Sequence, residues 1–428
     1  MAVPVESVQT ERLAIDGGNA ARTRPDPPMY PGGNLVGAEE EAAVLEVLRS
    51  KRLFRYYGPQ AGPSKVDEFE KAFAAHMGVP YAVAVSSGTG SLMCGAAGIG
   101  LGPGDEVIVP AYTFIASVAS IIFSGAVPIV AEVDETLNLD PADVERKITP
   151  RTKAILAVHM RGAAAQMEEL QSLARARDLR VIEDVAQADG ASYRGRRLGT
   201  LGDVGCFSLQ FNKIITCGEG GVVVTSDESI YKRALMLNDT VGGVRNKIPA
   251  EDILVGMNFR MPELTGAVAL VQLGRLDGLL EAMRSRKAVL KEGMADALAR
   301  AGGQFRALSD PAGDAAIALI FFLPTRDLAQ RAIQALKAEN IGASALYDPD
   351  RVDYHVYAHW APILAQRTWA AEGGPWRWSE PVAYSADMCP RSLDLLGRAV
   401  HLDVNPLFTD DDIAETVVGL NKVLNALA

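Results

Sequence analysis

Three short stretches carry residue types that can do chemistry together. In Val83-Ala-Val-Ser-Ser-Gly-Thr-Gly-Ser-Leu92 an apolar run enters a turn of small residues. A strand that opens a helix through such a turn leaves backbone N–H groups free. The helix dipole adds positive potential there, which suits a phosphate. Ser87, Gly88 and Thr89 would line that site; an ordinary helix N-cap has the same composition. In Val181-Ile-Glu-Asp-Val-Ala-Gln187 an apolar strand ends on Asp184. Ligands of open α/β sheets sit at the carboxyl ends of the strands, and a carboxylate buried there needs a cationic partner. A pyridinium N–H is such a partner; an N-cap or a metal ligand is the plainer role. In the third stretch, Gly205 to Gly221, Lys213 stands among apolar residues just before a Gly-rich turn. Burial lowers the pKa of an amine and makes it a nucleophile towards an aldehyde. Ser208 precedes it and is placed to meet the same phosphate as Thr89. Each of these residues alone has an unremarkable reading, and most lysines are solvated.

In combination they point one way. A phosphate turn, a strand-end Asp and a lysine, in that order, form the minimal kit for pyridoxal phosphate: anchor, electron-sink partner and Schiff-base lysine. Glu183 and Asp184 are adjacent, so on a strand they face opposite sides and are not a paired acid and base.

The elements that must position these groups read as mixed α/β. Apolar runs at 81–85, 106–109, 127–130, 154–158 and 180–183 alternate with helical stretches, which predicts a mostly parallel sheet covered on both faces. Two further strands are expected at 206–211 and 221–225, helices at 37–50 and 66–77, and one long helical pattern over 262–301, stopped by Gly302-Gly303. A second α/β unit follows, with a strand near 315–323 and helices near 327–340 and 410–427. The expected domains are 1–280, a large cofactor-binding domain opened by an extended Pro/Gly-rich arm over the first 35 residues, and 281–428, a smaller C-terminal domain. The segment 347–380 is rich in aromatic residues and is a candidate cover for the substrate, with His355, His359 and Trp360 as candidates; core packing is the plainer role of its tryptophans.

Composition narrows the class. The 428 residues carry 42 basic and 53 acidic side chains, a net charge of −11, which argues against nucleic acid or an anionic membrane as partner. No run of about 18 apolar residues is present, so no membrane span is expected. The four cysteines form no close metal-ligand pair, and no metal is expected. The N-terminus has no charged start followed by an apolar run, and a reducing cytoplasm is the expected compartment.

The ordered motifs Ser86-Ser-Gly-Thr89, Pro110-Ala-Tyr-Thr-Phe114, Glu183-Asp-Val-Ala-Gln187, Phe207-Ser208 with Lys213, Gly218-Glu-Gly-Gly221 and Met257-Asn-Phe-Arg-Met261 resemble the DegT/StrS aminotransferases. These are fold type I pyridoxal-phosphate enzymes that aminate keto-sugars and cyclitols. The resemblance runs from about residue 11 to the C-terminus. It is nearest to the cyclitol aminotransferase and aminohydroxybenzoate synthase branch, on Val158-His-Met160 and Phe207-Ser-Leu-Gln210. It implies that Lys213 and Asp184 are catalytic, that Phe114 stacks on the cofactor ring, and that Gln187 lies near the ring hydroxyl. It implies too that Asn258 reaches the phosphate of a neighbouring subunit, hence a homodimer with shared sites. The implied reaction moves an amino group from glutamate or glutamine to a keto-sugar, keto-cyclitol or sugar-like aldehyde, in secondary-metabolite (antibiotic) biosynthesis. Phe211-Asn212 stands where many members have Pro-Thr or Pro-Gly before the lysine. Arg161 stands where many carry an apolar or aromatic residue, which puts typical nucleotide-sugar binding in question.

Arg161 and Arg260 are candidates for a substrate carboxylate, against the plainer role of salt bridges. His159 reads as a core hydrogen-bonding residue. Three rival readings remain: another pyridoxal reaction on the same fold, a non-catalytic regulator, and a dinucleotide-binding protein. The dehydratase branch carries His in place of the lysine. A regulator needs none of Asp184, Ser208 and Lys213. The spacing G-x-G-x-x-G is absent from the first turn.

Overall fold

The computed structural model describes residues 12–56, 64–371 and 373–428; the first eleven residues of the expected arm lie outside the described residues. A seven-stranded sheet forms the centre. Its strands are β1 (Tyr81–Val85), β2 (Glu106–Pro110), β3 (Val127–Ala131), β4 (Thr152–Val158), β5 (Arg180–Asp184), β6 (Val204–Ser208) and β7 (Gly221–Thr225), in the order β1-β7-β6-β5-β4-β2-β3. Neighbours from β6 to β3 pair in parallel. β7 runs antiparallel between β1 and β6. Most residues of these strands are buried, as expected of strands covered on both faces.

This topology brings the carboxyl ends of β1, β2, β4, β5 and β6 to one edge. Val85 and Ser208 both register with Gly221 of β7. A Cβ on Gly221 would lie 2.5 Å from the Ser87 carbonyl oxygen and 2.7 Å from that of Phe207. Glycine is therefore what lets the turn after β1 and the end of β6 close on the same point.

A second, four-stranded sheet holds β8 (Gln304–Phe305), β9 (Ala318–Phe322), β10 (Ser344–Ala345) and β11 (Ala399–Asp403), in the order β8-β9-β11-β10, all antiparallel. Helices Leu276–Arg300, Arg326–Ala338 and Asp410–Leu427 accompany it. One apolar core continues from Phe73 and Phe207 through Leu280 and Leu290 to Phe321 and Leu420.

The structure departs from the sequence expectations in two places. The strand expected over 206–211 is shifted to Val204–Ser208. Beyond Ser208 the chain makes one more ladder bond, Leu209 N–H to the Gly220 carbonyl (2.8 Å), and then turns through Lys213 N–H to the Gln210 carbonyl (2.9 Å). The helical pattern over 262–301 splits into Glu263–Leu273 and Leu276–Arg300. At the split, Gln272 and Arg275 both bond the buried Glu40 carboxylate (2.9 Å each). The described part of the arm is docked on the rest of the protein. Ala14 and Ala21 donate their N–H groups to the Glu339 carboxylate (2.8 Å each), and the fully buried Arg22 guanidinium bonds Asp412 (2.9 Å). Residues 14–22 are thus tied to Glu339 and, through Arg22, to the last helix. In the aromatic segment, Tyr357 and Trp360 are buried, while Trp369 and Trp378 face solvent. No helix among the described residues is long and apolar enough to cross a membrane.

Glu339 is fully buried and also pairs with Lys422 (3.0 Å). Removing one partner of a buried ion pair costs about 3 kcal/mol, because the other charge is left uncompensated. Glu339→Ala is expected to lower the stability measured by urea unfolding by about that amount, and to expose residues 12–22 to protease. Resistance equal to that of the unaltered protein would mean that the arm is held elsewhere.

Candidate active site

The strand ends open on a cavity of about 670 Å³. Ser87, Gly88, Thr89, Phe114, Arg161, Asp184, Gln187, Ser208, Lys213 and His355 all line it. Ser87 Oγ caps the helix Gly88–Gly98 by accepting from Gly90 N–H (3.0 Å). The N–H groups of the first turn that the cap does not use have no intrahelical acceptor. A Cβ on Gly88 would lie 2.6 Å from Ser208 Cβ, so glycine brings the helix start against the Ser208 hydroxyl. Backbone donors, two hydroxyls and a helix N-terminus thus converge at this end of the cavity.

Asp184, 4% exposed, ends the central strand β5. Ser117 Oγ donates to its Oδ2 (2.7 Å) and Ala186 N–H to its Oδ1 (3.0 Å); Thr113 Oγ1 shares a hydrogen bond with Ser117 (2.7 Å). Among the described residues it forms no ion pair. A carboxylate buried without a cation is costly. A protonated ring nitrogen would supply that charge, so the residues present fit the pyridine end of pyridoxal phosphate. Phe114 is 47% exposed and lines the cavity, and its ring lies 5.1 Å from that of His355. Its open face fits an aromatic ring.

Lys213 sits on the loop between β6 and β7. Cys217 N–H and Thr216 Oγ1 both bond the Leu209 carbonyl (3.1 and 3.0 Å), which pins the base of that loop. Burial lowers the Lys213 pKa; Asp189 and Asp184 work against that, and Arg161 adds to it. A larger share of the amine is therefore neutral and nucleophilic near pH 7.

Glu183 faces away from the cavity, as the alternation along β5 requires. Its carboxylate accepts from the N–H groups of Gly199, Leu201 and Gly202, and it pairs with His159 Nε2 (3.1 Å). His159 Nδ1 accepts from Ala165 N–H (3.1 Å), so His159 serves the core. Among the aromatic-segment candidates, His355 enters the cavity. His359 accepts from Asp353 N–H, and Trp360 is buried with its Nε1–H on the Tyr354 carbonyl. Burial would raise the Asp353 carboxyl, but hydrogen bonds from His355 outweigh it and hold its pKa at about 2. Arg260 is committed to Asp239 (2.6 Å) and does not line the cavity. Asn258 is exposed and also lies outside it.

Other lining residues escaped the sequence reading. Ser117 stands one helical turn beyond Thr113, a spacing that could have flagged it. Tyr30 of the arm packs on Phe211 (4.8 Å between rings), and His401 and Asp403 come from β11. Asp189 is 1% exposed, within electrostatic reach of Lys213 and Asp184, and neither carboxylate oxygen has a hydrogen-bond partner. Burial raises its pKa well above the ordinary range, and Lys213 works against that rise.

A family model for the DegT/DnrJ/EryC1/StrS aminotransferases matches residues 34–373. The chain is 45% identical over 216 residues to a GDP-perosamine synthase of Caulobacter vibrioides, covering 50% of this chain and 58% of that protein. It is 38% identical over 297 residues to an L-glutamine:2-deoxy-scyllo-inosose aminotransferase of Streptomyces paromomycinus, covering 67% and 69%. The alignments thus span between just over half and about two thirds of these relatives. Among solved structures it superposes on 3-amino-5-hydroxybenzoic acid synthase with a TM-score of 0.78 at 27% identity, covering 94% of this chain and all of that one. The Streptomyces venezuelae enzyme DesV gives a TM-score of 0.74 at 31% identity, covering 94% and 99%. The architecture is that of fold type I.

Asp189 yields a pH prediction. Its folded pKa is raised, so the folded state holds a proton that the unfolded state releases above its ordinary pKa of about 4. Stability is then lost as pH rises through that range. Asp189→Asn is expected to be more stable than the unaltered protein at pH 8, a gain that shrinks to nothing near pH 4. Thermal melts across that range check it; a constant difference would remove proton binding as the cause.

Proposed function

The chain belongs to the DegT/DnrJ/EryC1/StrS aminotransferase family, and from that premise we propose that it is a pyridoxal-phosphate-dependent aminotransferase. Its amino donor would be glutamate or glutamine and its acceptor a keto-sugar, keto-cyclitol or sugar-like aldehyde of secondary metabolism. The observation that carries this reading is one cavity holding the Asp184 carboxylate, without an ion-pair contact among the described residues, a buried Lys213 amine and a helix N-terminus with Ser208 beside it. The relatives support the acceptor class by name: one is a glutamine-dependent inosose aminotransferase, another makes a perosamine.

The roles divide among this chain's own residues. Ser87, Gly88, Thr89 and Ser208 hold the phosphate. Asp184, fixed by Ser117 and Ala186, keeps a ring nitrogen protonated. Phe114 would cover one ring face, and Gln187 would stand by the ring hydroxyl. When bound, the cofactor accepts electron density from the substrate's α-carbon. Lys213 Nζ takes up the proton that leaves that carbon and later returns one, as a general base and acid. His355, oriented by Asp353, stands on the acceptor side.

The same proposal covers assembly, compartment and domain roles. Asn258 lies outside its own cavity, in a stretch where Leu254, Val255 and Met257 are exposed. An apolar face of that kind marks a contact, and we take it as the face through which Asn258 completes the site of a second copy in a homodimer. The expected compartment is the cytoplasm. We take the segment before residue 280 as the cofactor-binding domain and the segment after it as the smaller one. The second sheet contributes His401 and Asp403 to the cavity they share.

The test is a half-reaction. Holoenzyme mixed with L-glutamine or L-glutamate is expected to convert to the amine form of the cofactor, followed by absorbance, and Lys213→Ala to slow conversion by about 10²–10⁴-fold. No conversion with any amino donor would refute the reading.

A further inference from the structure

The cavity holds a guanidinium, Arg161, to which the roles above assign nothing. Arg161 follows β4 in the left-handed region (φ 53°, ψ 40°), which is costly for a residue with a side chain. The conformation is held from several sides. Gln187 Oε1 accepts the Arg161 N–H (3.1 Å), and Arg161 Nε donates to the hydroxyl of the fully buried Tyr112 (3.2 Å). At the next residue, a Cβ on Gly162 would lie 3.1 Å from Ala315 and Ile317 side-chain atoms. The guanidinium lines the cavity. Yet among the described residues it forms no ion pair within 4.0 Å. Burial would lower its pKa, but Tyr112 and, more distantly, Asp403 and Asp353 raise it. Other arginines of the protein are spent: Arg260 on Asp239, and Arg306 on the carbonyls of Thr136 and Met160.

His401 of β11 lines the same cavity and is 5% exposed. Its Nδ1 lies 3.2 Å from Ser344 Oγ, and its Nε2 has no hydrogen-bond partner. The charged and titratable groups facing it are Asp403, whose Oδ1 is 3.5 Å from Nε2, with Arg161, Arg306, Lys287 and His355. Burial first, and then those cations, push its pKa far down, so the imidazole is neutral. An orphaned neutral ring nitrogen and an unpaired guanidinium thus share one cavity, from β11 and from the turn after β4.

We propose that Arg161 and His401 form a carboxylate subsite, with the guanidinium fork binding a substrate carboxylate and His401 Nε2 hydrogen-bonding to the same group. The proposal rests on the aminotransferase reading and narrows its substrates. A carboxylate enters this end of the cavity, either from the amino-acid donor or from a carboxylated ring acceptor. Guanidinium suits the role because its planar donors match a carboxylate in two parallel bonds.

Calorimetric titration of the holoenzyme tests this with acids that cannot transfer an amino group. Glutarate stands for the donor skeleton and cyclohexanecarboxylate for a ring acceptor, with glutaramide and cyclohexanol as uncharged controls. At least one acid should bind more tightly than its control. Arg161→Gln should weaken that binding about 10–100-fold, the range for hydrogen bonds to a charged group, and His401→Asn should weaken it less. The acid whose affinity falls names the source: glutarate the donor, cyclohexanecarboxylate the acceptor. If Arg161→Gln does not fold, Arg161→Lys, which keeps the charge without the fork, should still lose affinity. Neither acid exceeding its control, or unchanged affinity in the folded Arg161 and His401 variants, would overturn the subsite. No amino transfer occurs in this assay, so it stands or falls apart from the half-reaction.

Discussion

The cavity depends on the parallel hydrogen-bond ladder that aligns the ends of β2, β4, β5 and β6, and on the antiparallel β7 that brings β1 alongside. A parallel ladder sends every carboxyl end to the same edge. Tyr112, Arg161, Asp184 and Ser208, far apart in the chain, therefore meet without any long-range design in their local sequence. Gly221 makes the last join possible. Backbone from two neighbours comes so close to it that no side chain fits.

Electrostatics then sorts the groups that the ladder collects. Asp184 is held as an acceptor by Ser117 and Ala186 but carries no cation. Lys213 is buried enough to lose basicity. Arg161 is charged and unpaired among the described residues. A charge left without its opposite inside a protein is expensive. Three such departures around one cavity mark a place where a ligand supplies what the fold withholds.

The second sheet and the arm complete the enclosure. β11 brings His401 and Asp403, Tyr30 comes from the arm, and buried Glu339 ties the arm to the last helix through Lys422. Residues 14–22 are thus fastened to the last helix, and Tyr30 just beyond them reaches the cavity.

Much of this was legible in the sequence. Buried strands read as apolar runs whatever their partners, so β1 to β5 and β7 fell where expected, as did helices closed by clear caps and stops. The Ser87–Thr89 turn, Asp184, Ser208 and Lys213 carried chemistry in their residue types and order. Legibility failed where pairing decides. The strand expected to reach Phe211 ends at Ser208, because the ladder partner turns away at Gly220. Arg161 and Arg260 looked alike, and a single contact with Asp239 separates them. His401 and Tyr30 were out of reach, since their meaning lies in what they face far along the chain. The sequence by itself determined which segments bury themselves and which side chains can do chemistry, because both follow from local composition and period. Tertiary structure alone decided which charges are neutralised and which stand open to a ligand, because pairing depends on distances that only the assembled sheets set.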